Sequence, residues 1–184
     1  MKAVFGLGNP GLDYALTRHN VGFQVIDLYR RLNRLSAKGY LEEGGLVYHE
    51  GDLLLVKPLS YMNESGPVVR GVLARYGIPT SDALIVHDDL DLPLGRMKIR
   101  PSGGAGTHKG VRSVIRALGT EEIPRLKVGI EVEGRALPGR EFVLERFSQD
   151  EWERILPVLE RAAEAIALFR EAEIEAVMER FNRV

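Results

Sequence analysis

Histidines and acidic residues are the side chains of this sequence best suited to acid–base chemistry near neutral pH. The chain contains four histidines, and His19 lies in a polar stretch that follows the turn-forming segment Gly8-Asn9-Pro10-Gly11. A histidine in such a loop can act as a general base when a carboxylate fixes its tautomer and stabilises its charged form. Asp88, which follows a run of apolar residues, is the leading candidate for that carboxylate. The sequence therefore predicts an acid–base pair of His19 and Asp88.

A metal site is an alternative use of the same acidic segment. His87, Asp88, Asp89 and His108 are ligand types that divalent metals accept, although their spacing matches no known metal motif. The chain has no cysteine, which excludes disulfides, thiolate ligands and a cysteine nucleophile. It also lacks the G-x-S-x-G elbow of many serine hydrolases. The general base is favoured on these grounds, and the metal site stays open as an alternative.

The segment Gly6 to Gly11 matches the G-x-G-x-x-G pattern of dinucleotide-binding loops, and Asp27 lies near the spacing of a ribose-binding acid. A dinucleotide loop presents backbone N–H groups to a pyrophosphate at the start of a helix. Pro10 removes one of these donors, and the next helix is predicted to begin only near Asn20, whose side chain can cap it. A dinucleotide-dependent enzyme is therefore a disfavoured alternative.

The order of the predicted elements indicates an α/β fold with a mixed, largely parallel sheet and a C-terminal amphipathic helical segment. Strands are predicted at 2–7, 46–49, 53–56, 83–86, 96–100 and 125–132, and helices at 20–35, 63–76 and 111–118. Ser148 and Glu151 form a capping-box pattern that opens a helical stretch to about Phe181, which Pro157 is expected to kink or split. At 184 residues, the chain is expected to form one domain, 1–184.

Charge is distributed unevenly along a chain whose net charge is only −1. Between Gly95 and Lys127 there are eight basic and two acidic residues, whereas the segment from Asp150 onward has nine acidic and five basic residues. Such asymmetry can steer an anion toward one surface, although solvated surface charges explain it equally well. In the segment 96–100, alternation places Arg96, Lys98 and Arg100 on one face of the predicted strand.

Four segments together resemble the bacterial-type peptidyl-tRNA hydrolases in order and spacing over nearly the whole chain. They are Gly6 to Gly11 with Tyr14 and Thr17-Arg18-His19-Asn20-Val21-Gly22, Lys57-Pro58 with Tyr61-Met62-Asn63 and Ser65-Gly66, His87-Asp88-Asp89-Leu90-Asp91-Leu92-Pro93 with Gly95, and the glycine-rich loop through His108. The resemblance implies hydrolysis of the ester that joins a peptide to the 3′-terminal ribose of tRNA, without a cofactor. A non-catalytic RNA-binding module is the main alternative.

The resemblance also implies roles for individual residues. His19 matches the base that activates water, and Asp88 matches its orienting partner. Asn9 matches the residue that separates peptidyl-tRNA from free aminoacyl-tRNA. Tyr14, Tyr61 and Asn63 match positions that line the cleft for the acceptor end and the peptide. On its own, Asn63 is expected to cap the helix that follows it, but in this context it can also donate to the developing oxyanion.

The basic segment acquires a role through the same resemblance. Lys98, Arg100 and Lys127 match positions near the 5′-phosphate of tRNA, whose A-form acceptor stem is read through phosphates and shape. Lys109 stands where the family usually has asparagine; it can donate hydrogen bonds but cannot accept them, and it is expected to contact the substrate or an RNA phosphate. His108 is expected to be structural or a minor substrate contact. The expected partner is the acceptor stem and 3′ end of peptidyl-tRNA. The protein is further expected to be monomeric and cytoplasmic, with no membrane segment.

Overall fold

A mixed sheet of seven strands forms the centre of the protein. The computed structural model describes residues 1–36 and 38–183. The strands are β1 (Lys2–Gly6), β2 (Gly39–Glu42), β3 (Gly45–Glu50), β4 (Leu53–Pro58), β5 (Ala83–Pro93), β6 (Met97–Arg100) and β7 (Arg125–Glu131). Their order is β2-β3-β4-β1-β5-β7-β6, with parallel pairing from β4 to β7 and antiparallel pairing at both edges. The predicted α/β fold with a largely parallel sheet is confirmed.

Helices cover both faces of the sheet. They are α1 (Val21–Leu32), α2 (Ser65–Tyr76), α3 (Lys109–Leu118), α4 (Gly139–Phe142), α5 (Gln149–Glu171) and α6 (Ile174–Phe181). Successive residues of a strand point to opposite faces. Val4 accordingly belongs to the apolar cluster formed with α1, α5 and α6, whereas Phe5 belongs to the cluster formed with α2 and α3. This explains why β1, β4 and residues 83–86 of β5 are almost continuously apolar.

Two glycines bring α1 unusually close to the sheet. A Cβ on Gly22 would lie 2.3 Å from the backbone nitrogen of Leu7 and 2.5 Å from the carbonyl oxygen of Val86. A Cβ on Gly6 would lie 2.2 Å from the carbonyl oxygen of Gly22. Glycine at Gly6 therefore serves helix packing, and Asp27 lies within α1, where it pairs with Lys57. Neither feature is arranged as in a dinucleotide site.

The C-terminal helical segment differs from its prediction. The helix does not break at Pro157: α5 continues to Glu171, and the chain becomes extended only at Ala172. Proline removes a single N–H donor, whereas the same helix buries Ile155, Leu159 and Ile166, so keeping the helix intact costs less than exposing them. The capping box of Ser148 and Glu151 is formed as predicted. Among the described residues, no helix is long and apolar enough to cross a membrane.

Candidate active site

The carboxyl ends of the central parallel strands meet at one edge of the sheet, where α/β proteins usually bind ligands. The segments after β1 and β4, the outer half of β5 and the loop before α3 border a cleft of about 700 Å³ there. β5 is eleven residues long and extends well beyond the predicted end at Val86. Its extension carries His87 to Asp91 into the cleft wall.

His19 and Asp88 are in direct contact in this cleft. His19 lies in a 3-10 turn, Arg18–Asn20, immediately before α1, and Asp88 lies on β5. The Nδ1 atom of His19 is 3.0 Å from Oδ1 and 2.9 Å from Oδ2 of Asp88. A carboxylate can only accept, so Nδ1 carries the proton and donates it to Asp88. The Nε2 atom of His19 then keeps its lone pair, which is what a general base needs.

The two groups shift each other's pKa. Burial by itself lowers the pKa of His19, but the charge of Asp88 and its hydrogen bond outweigh burial, so the pKa is raised above its usual value; the charge of Lys109 opposes this rise. Asp88 is only 2% exposed, and burial alone would raise its pKa. The adjacent His19 and His108 instead hold the pKa of Asp88 far below its usual range. Asp88 is therefore expected to be an anion near neutral pH.

His108 is a second partner of Asp88. Its Nδ1 accepts hydrogen bonds from the backbone N–H groups of Gly110 (3.1 Å) and Val111 (3.2 Å), which caps α3. Its Nε2 lies 2.9 Å from Oδ1 of Asp88. Because Nδ1 is an acceptor, the proton of a neutral His108 must be on Nε2, and this N–H donates to Asp88. The helix cap thus fixes the tautomer of His108.

The structure brings together three potential metal ligands, and they differ from the four residues that the sequence suggested. Ligand atoms of His19, Asp88 and His108 lie within 4.8 Å of one another. Metal binding at His108 Nε2 would require the proton to move to Nδ1, against the two backbone N–H groups that already point at it. The hydrogen-bonding pattern therefore fits a proton network better than a metal centre.

His87 and Asp89 have other partners. His87 is 4% exposed, donates from Nδ1 to the carbonyl of Asp88 (2.7 Å), and has a pKa lowered to about 3 by burial, so it stays uncharged. Asp89 lies 3.6 Å from the Nζ atom of Lys127. The sequence-based metal alternative with His87 and Asp89 as ligands is thus wrong in its choice of residues.

Asn9 is held in one orientation by its neighbours. Its Oδ1 accepts from the backbone N–H of Met62 (2.8 Å), so its Nδ2 is the group left to donate into the cleft. The amide of Asn20 bonds both the N–H and the carbonyl of Asn9, each at 2.9 Å. Asn20 therefore does not cap α1 with its side chain, contrary to the prediction, because that side chain is committed to Asn9.

A buried arginine connects the turn of His19 to the cleft wall that contains Val143. Arg18 stacks on the Phe142 ring at 3.8 Å and pairs with Glu151 at 2.7 Å. The backbone N–H groups of Arg18 and His19 donate to the carbonyls of Glu145 (3.0 Å) and Val143 (2.8 Å). The wall that includes Val143 and the turn that carries His19 are thus one hydrogen-bonded unit, and no sequence motif indicated this role of Arg18.

The predicted cations cluster on the two strands at one end of the sheet. Lys98 lies opposite Lys127, and Arg100 lies opposite Arg125. Lys127 lines the cleft, whereas Lys98 and Arg100 lie beside it on β6. Arg125 is 1% exposed and bonds the carbonyls of Gly104 and Glu121. Lys127 therefore joins the cations of β6 to the cleft, since it lines the cleft and lies opposite Lys98.

Most predicted site residues line the cleft, namely Asn9, His19, Tyr61, Asn63, Asp88, Lys109 and Lys127. Tyr14 lies outside its lining, in the loop before His19. Asn63 does not cap α2 as expected, because it lies within a 3-10 turn and α2 begins at Ser65 with Glu64 as its N-cap. Lining residues that the sequence did not single out include Glu131, Arg135, Arg140 and Leu144.

Comparisons with known proteins agree with this arrangement. A sequence model of the peptidyl-tRNA hydrolase family matches residues 3–184. The peptidyl-tRNA hydrolase of Moorella thermoacetica is 43% identical to this chain, over 97% of this chain and 96% of the relative. That of Aquifex aeolicus is 41% identical, over 100% of this chain and 97% of the relative. The crystal structure of peptidyl-tRNA hydrolase from Acinetobacter baumannii has a TM-score of 0.90 and 27% identity, covering 99% of this chain and 94% of that chain. The chain therefore belongs to the peptidyl-tRNA hydrolase family.

Proposed function

We propose that this protein hydrolyses the ester between the peptide and the 3′-terminal ribose of tRNA, with His19 as the general base and Asp88 as its orienting partner. The observation that carries the proposal is the contact of His19 Nδ1 with both oxygens of Asp88, because it leaves Nε2 free to accept a proton inside the cleft. General-base catalysis of this kind contributes typically about 10²–10⁴ in rate.

The reaction needs one water and one proton carrier. His19 Nε2 takes a proton from water while the water oxygen bonds to the ester carbonyl carbon. The tetrahedral intermediate then breaks its bond to the ribose oxygen, which receives the proton from the imidazolium. The products are a tRNA with its terminal hydroxyl restored and a peptide with a free carboxylic acid, which releases its proton to solvent and becomes a carboxylate. Asn63, at the cleft wall, is the proposed donor to the oxyanion; losing such a donor typically costs about 10²–10³ in rate.

Asn9 provides a basis for separating peptidyl-tRNA from aminoacyl-tRNA. Since Met62 holds its oxygen, Asn9 presents only N–H groups to the substrate. An N–H donor pairs well with a peptide carbonyl and badly with the α-ammonium of a free aminoacyl ester. Asn9 is therefore proposed to favour substrates whose amino group is blocked, with Tyr61 lining the adjacent wall and Tyr14 near the acceptor end.

Binding of the RNA is assigned to the cationic strands. Lys98, Arg100 and Lys127 are proposed to contact phosphates of the acceptor stem, including the 5′-phosphate, and Lys109 is proposed to contact the substrate near His19. Phosphate contacts carry no sequence information, which suits an enzyme that acts on many tRNAs. The proposed unit is a monomer of one domain, 1–184. Its proposed compartment is the cytoplasm, where tRNA is used.

The test is release of an N-blocked amino acid from tRNA, measured with chelator present throughout. We compare the wild-type protein with His19→Ala and, as a matched control, His49→Ala, because His49 lies on β3 and bonds Glu42. His19→Ala is expected to lose about 10²–10⁴ in rate while still binding tRNA. His49→Ala is expected to keep full rate.

Two results would contradict the proposal. An inactive wild-type protein that binds tRNA would favour the RNA-binding module. Activity that is lost with chelator and restored by a divalent metal would favour a metal centre at His19, Asp88 and His108.

A further inference from the structure

The outer edge of β6 is paired by a side chain instead of a strand. β6 is the last strand of the sheet and runs antiparallel to β7. The backbone N–H of Ile99 donates to Oδ1 of Asn182 at 2.8 Å, and its carbonyl accepts from Nδ2 of Asn182 at 2.9 Å. Both backbone groups of Ile99 therefore point away from β7. The Asn182 amide, with one donor side and one acceptor side, occupies the place of a neighbouring strand residue.

The pairing of β6 with β7 is weakened by charge, so β6 needs contacts beyond those with β7. Like charges directly opposite each other destabilise an antiparallel pair, and β6 places Lys98 opposite Lys127 and Arg100 opposite Arg125. β6 is also only four residues long. Repulsion between the strands is thus a cost of gathering these cations on one face. The Asp89 carboxylate, 3.6 Å from Lys127 Nζ, offsets part of it, and contacts at the other face and the edge of β6 offset more.

The other face of β6 is anchored to the C-terminal helix. Ile99 is 0% exposed and belongs to the same apolar cluster as Val177 and Phe181 of α6. Asn182 is the residue that ends α6, so the helix that covers Ile99 also delivers the amide to its backbone. The amide and the apolar contacts hold the residue midway between Lys98 and Arg100.

We propose that Asn182 is a positioning residue for RNA binding: by pairing with Ile99 it fixes β6, and with it the spacing of Lys98 and Arg100 for phosphates of the acceptor stem. This inference rests on the proposed function, in which these two cations contact tRNA. Asn182 itself does not touch the substrate.

The test compares a substrate that contains the acceptor stem with one that does not. One is N-blocked aminoacyl-tRNA, with or without its 5′-phosphate, and the other is an N-blocked aminoacyl ester of a short 3′-CCA oligonucleotide that lacks the acceptor stem. Asn182→Leu is expected to raise KM for the 5′-phosphorylated tRNA by about threefold to tenfold, which is the net worth of about one hydrogen bond. It is also expected to bring the KM values for tRNA with and without the 5′-phosphate closer together. The kcat for tRNA and the kinetic constants for the short substrate are expected to stay unchanged. Asn33→Leu is the matched control, because Asn33 also ends a helix and, within residues 1–36 and 38–183, its amide bonds only the Tyr29 carbonyl.

A double variant, Lys98→Ala with Arg100→Ala, separates the possible failures. If it keeps the preference for the 5′-phosphate, the proposed phosphate contacts are wrong. If it loses that preference while Asn182→Leu keeps it, only the inference about Asn182 is overturned. Equal losses by Asn182→Leu on both substrates would also overturn it, because they indicate general destabilisation.

A measurement on the wild-type protein covers the case in which Asn182→Leu does not fold. Hydrogen exchange of the Ile99 amide is expected to be slower than that of Met97, the other outward-facing position of β6, because the Ile99 N–H is bonded to Asn182. Exchange of Ile99 as fast as that of Met97 would overturn the inference.

Discussion

Replacing Asp88 by asparagine is expected to disable His19 through its tautomer. The His108 N–H at Nε2 can only donate, because the backbone N–H groups of α3 occupy Nδ1. In Asp88→Asn the amide oxygen therefore turns to His108, and the amide NH₂ is left 2.9 Å from His19 Nδ1, at the place of Oδ2. The amide oxygen stays 3.0 Å from His19 Nδ1 but is shared with His108, and the NH₂ group cannot accept, so the arrangement that satisfies both groups of the amide puts the His19 proton on Nε2. The atom that takes the proton from water is then blocked.

The expected loss is the whole contribution of the general base. That contribution is about 10²–10⁴ in kcat, or about 3–5 kcal/mol in activation free energy at 1.36 kcal/mol per factor of ten. The pH profile changes as well. His19 acts when it is unprotonated, so activity rises with pH through its pKa. Asp88 raises that pKa above the usual value, whereas burial lowers it, so the variant is expected to move the acidic limb to lower pH.

The assay is release of N-blocked amino acid from tRNA between pH 5 and 9, with tRNA affinity and circular dichroism measured on the same samples. The variant is nearly isosteric, so its fold and tRNA affinity are expected to stay close to wild type. The tautomer argument would be refuted by Asp88→Asn retaining more than about a tenth of the wild-type kcat, since a base that is blocked loses at least about 10². A normal kcat with an unmoved acidic limb would refute the assignment of the base itself.

Three further predictions address the surroundings of this pair. The positive charge of Lys109 lowers the pKa of His19, the proposed base, so Lys109→Asn is expected to raise that pKa. The acidic limb of the kcat/KM profile should then move to higher pH, and a move to lower pH would contradict this. Removing both Lys98 and Arg100 is expected to make log affinity for tRNA less dependent on log salt, by about 0.9 per phosphate contact, as measured by titration at several salt concentrations. Arg18→Met removes the ion pair with the partly buried Glu151, which keeps its bond from the Ser148 N–H, and is expected to lower the free energy of unfolding by about 2 kcal/mol in urea. Arg183→Ala, an exposed control, should change it by less than about 1 kcal/mol.

The fold was predictable where the signal was local. Strands such as β1 and β4 are continuous apolar runs with clear turn residues, and the capping box at Ser148 marks the start of α5. β2 was missed because none of its four residues is buried and the strand is defined by its pairing with β3, which leaves no periodic pattern in the sequence. The expected break at Pro157 does not occur, because the local effect of proline is opposed by apolar burial along the whole of α5. That burial depends on the tertiary structure.

The site was predictable at the level of residue types. A histidine beside a turn and an aspartate at the end of a buried strand are each visible in the sequence, and the resemblance to a family joined them. The partners that set their chemical state were not visible. The tautomer of His108 depends on the backbone of α3, and the orientation of Asn9 depends on the backbone N–H of Met62. Such contacts depend on atomic geometry, which residue spacing does not encode.

Two asparagines show how the fold positions functional groups without touching a substrate. Asn20 pairs with both backbone groups of Asn9, and Asn182 pairs with both backbone groups of Ile99. An amide can do this because it carries a donor and an acceptor side by side, as a strand residue does. Aspartate at either place would lose the donor, and leucine would lose both bonds. The chemistry of the cleft and the spacing of the cations thus depend on side chains that replace backbone pairing where the sheet itself ends.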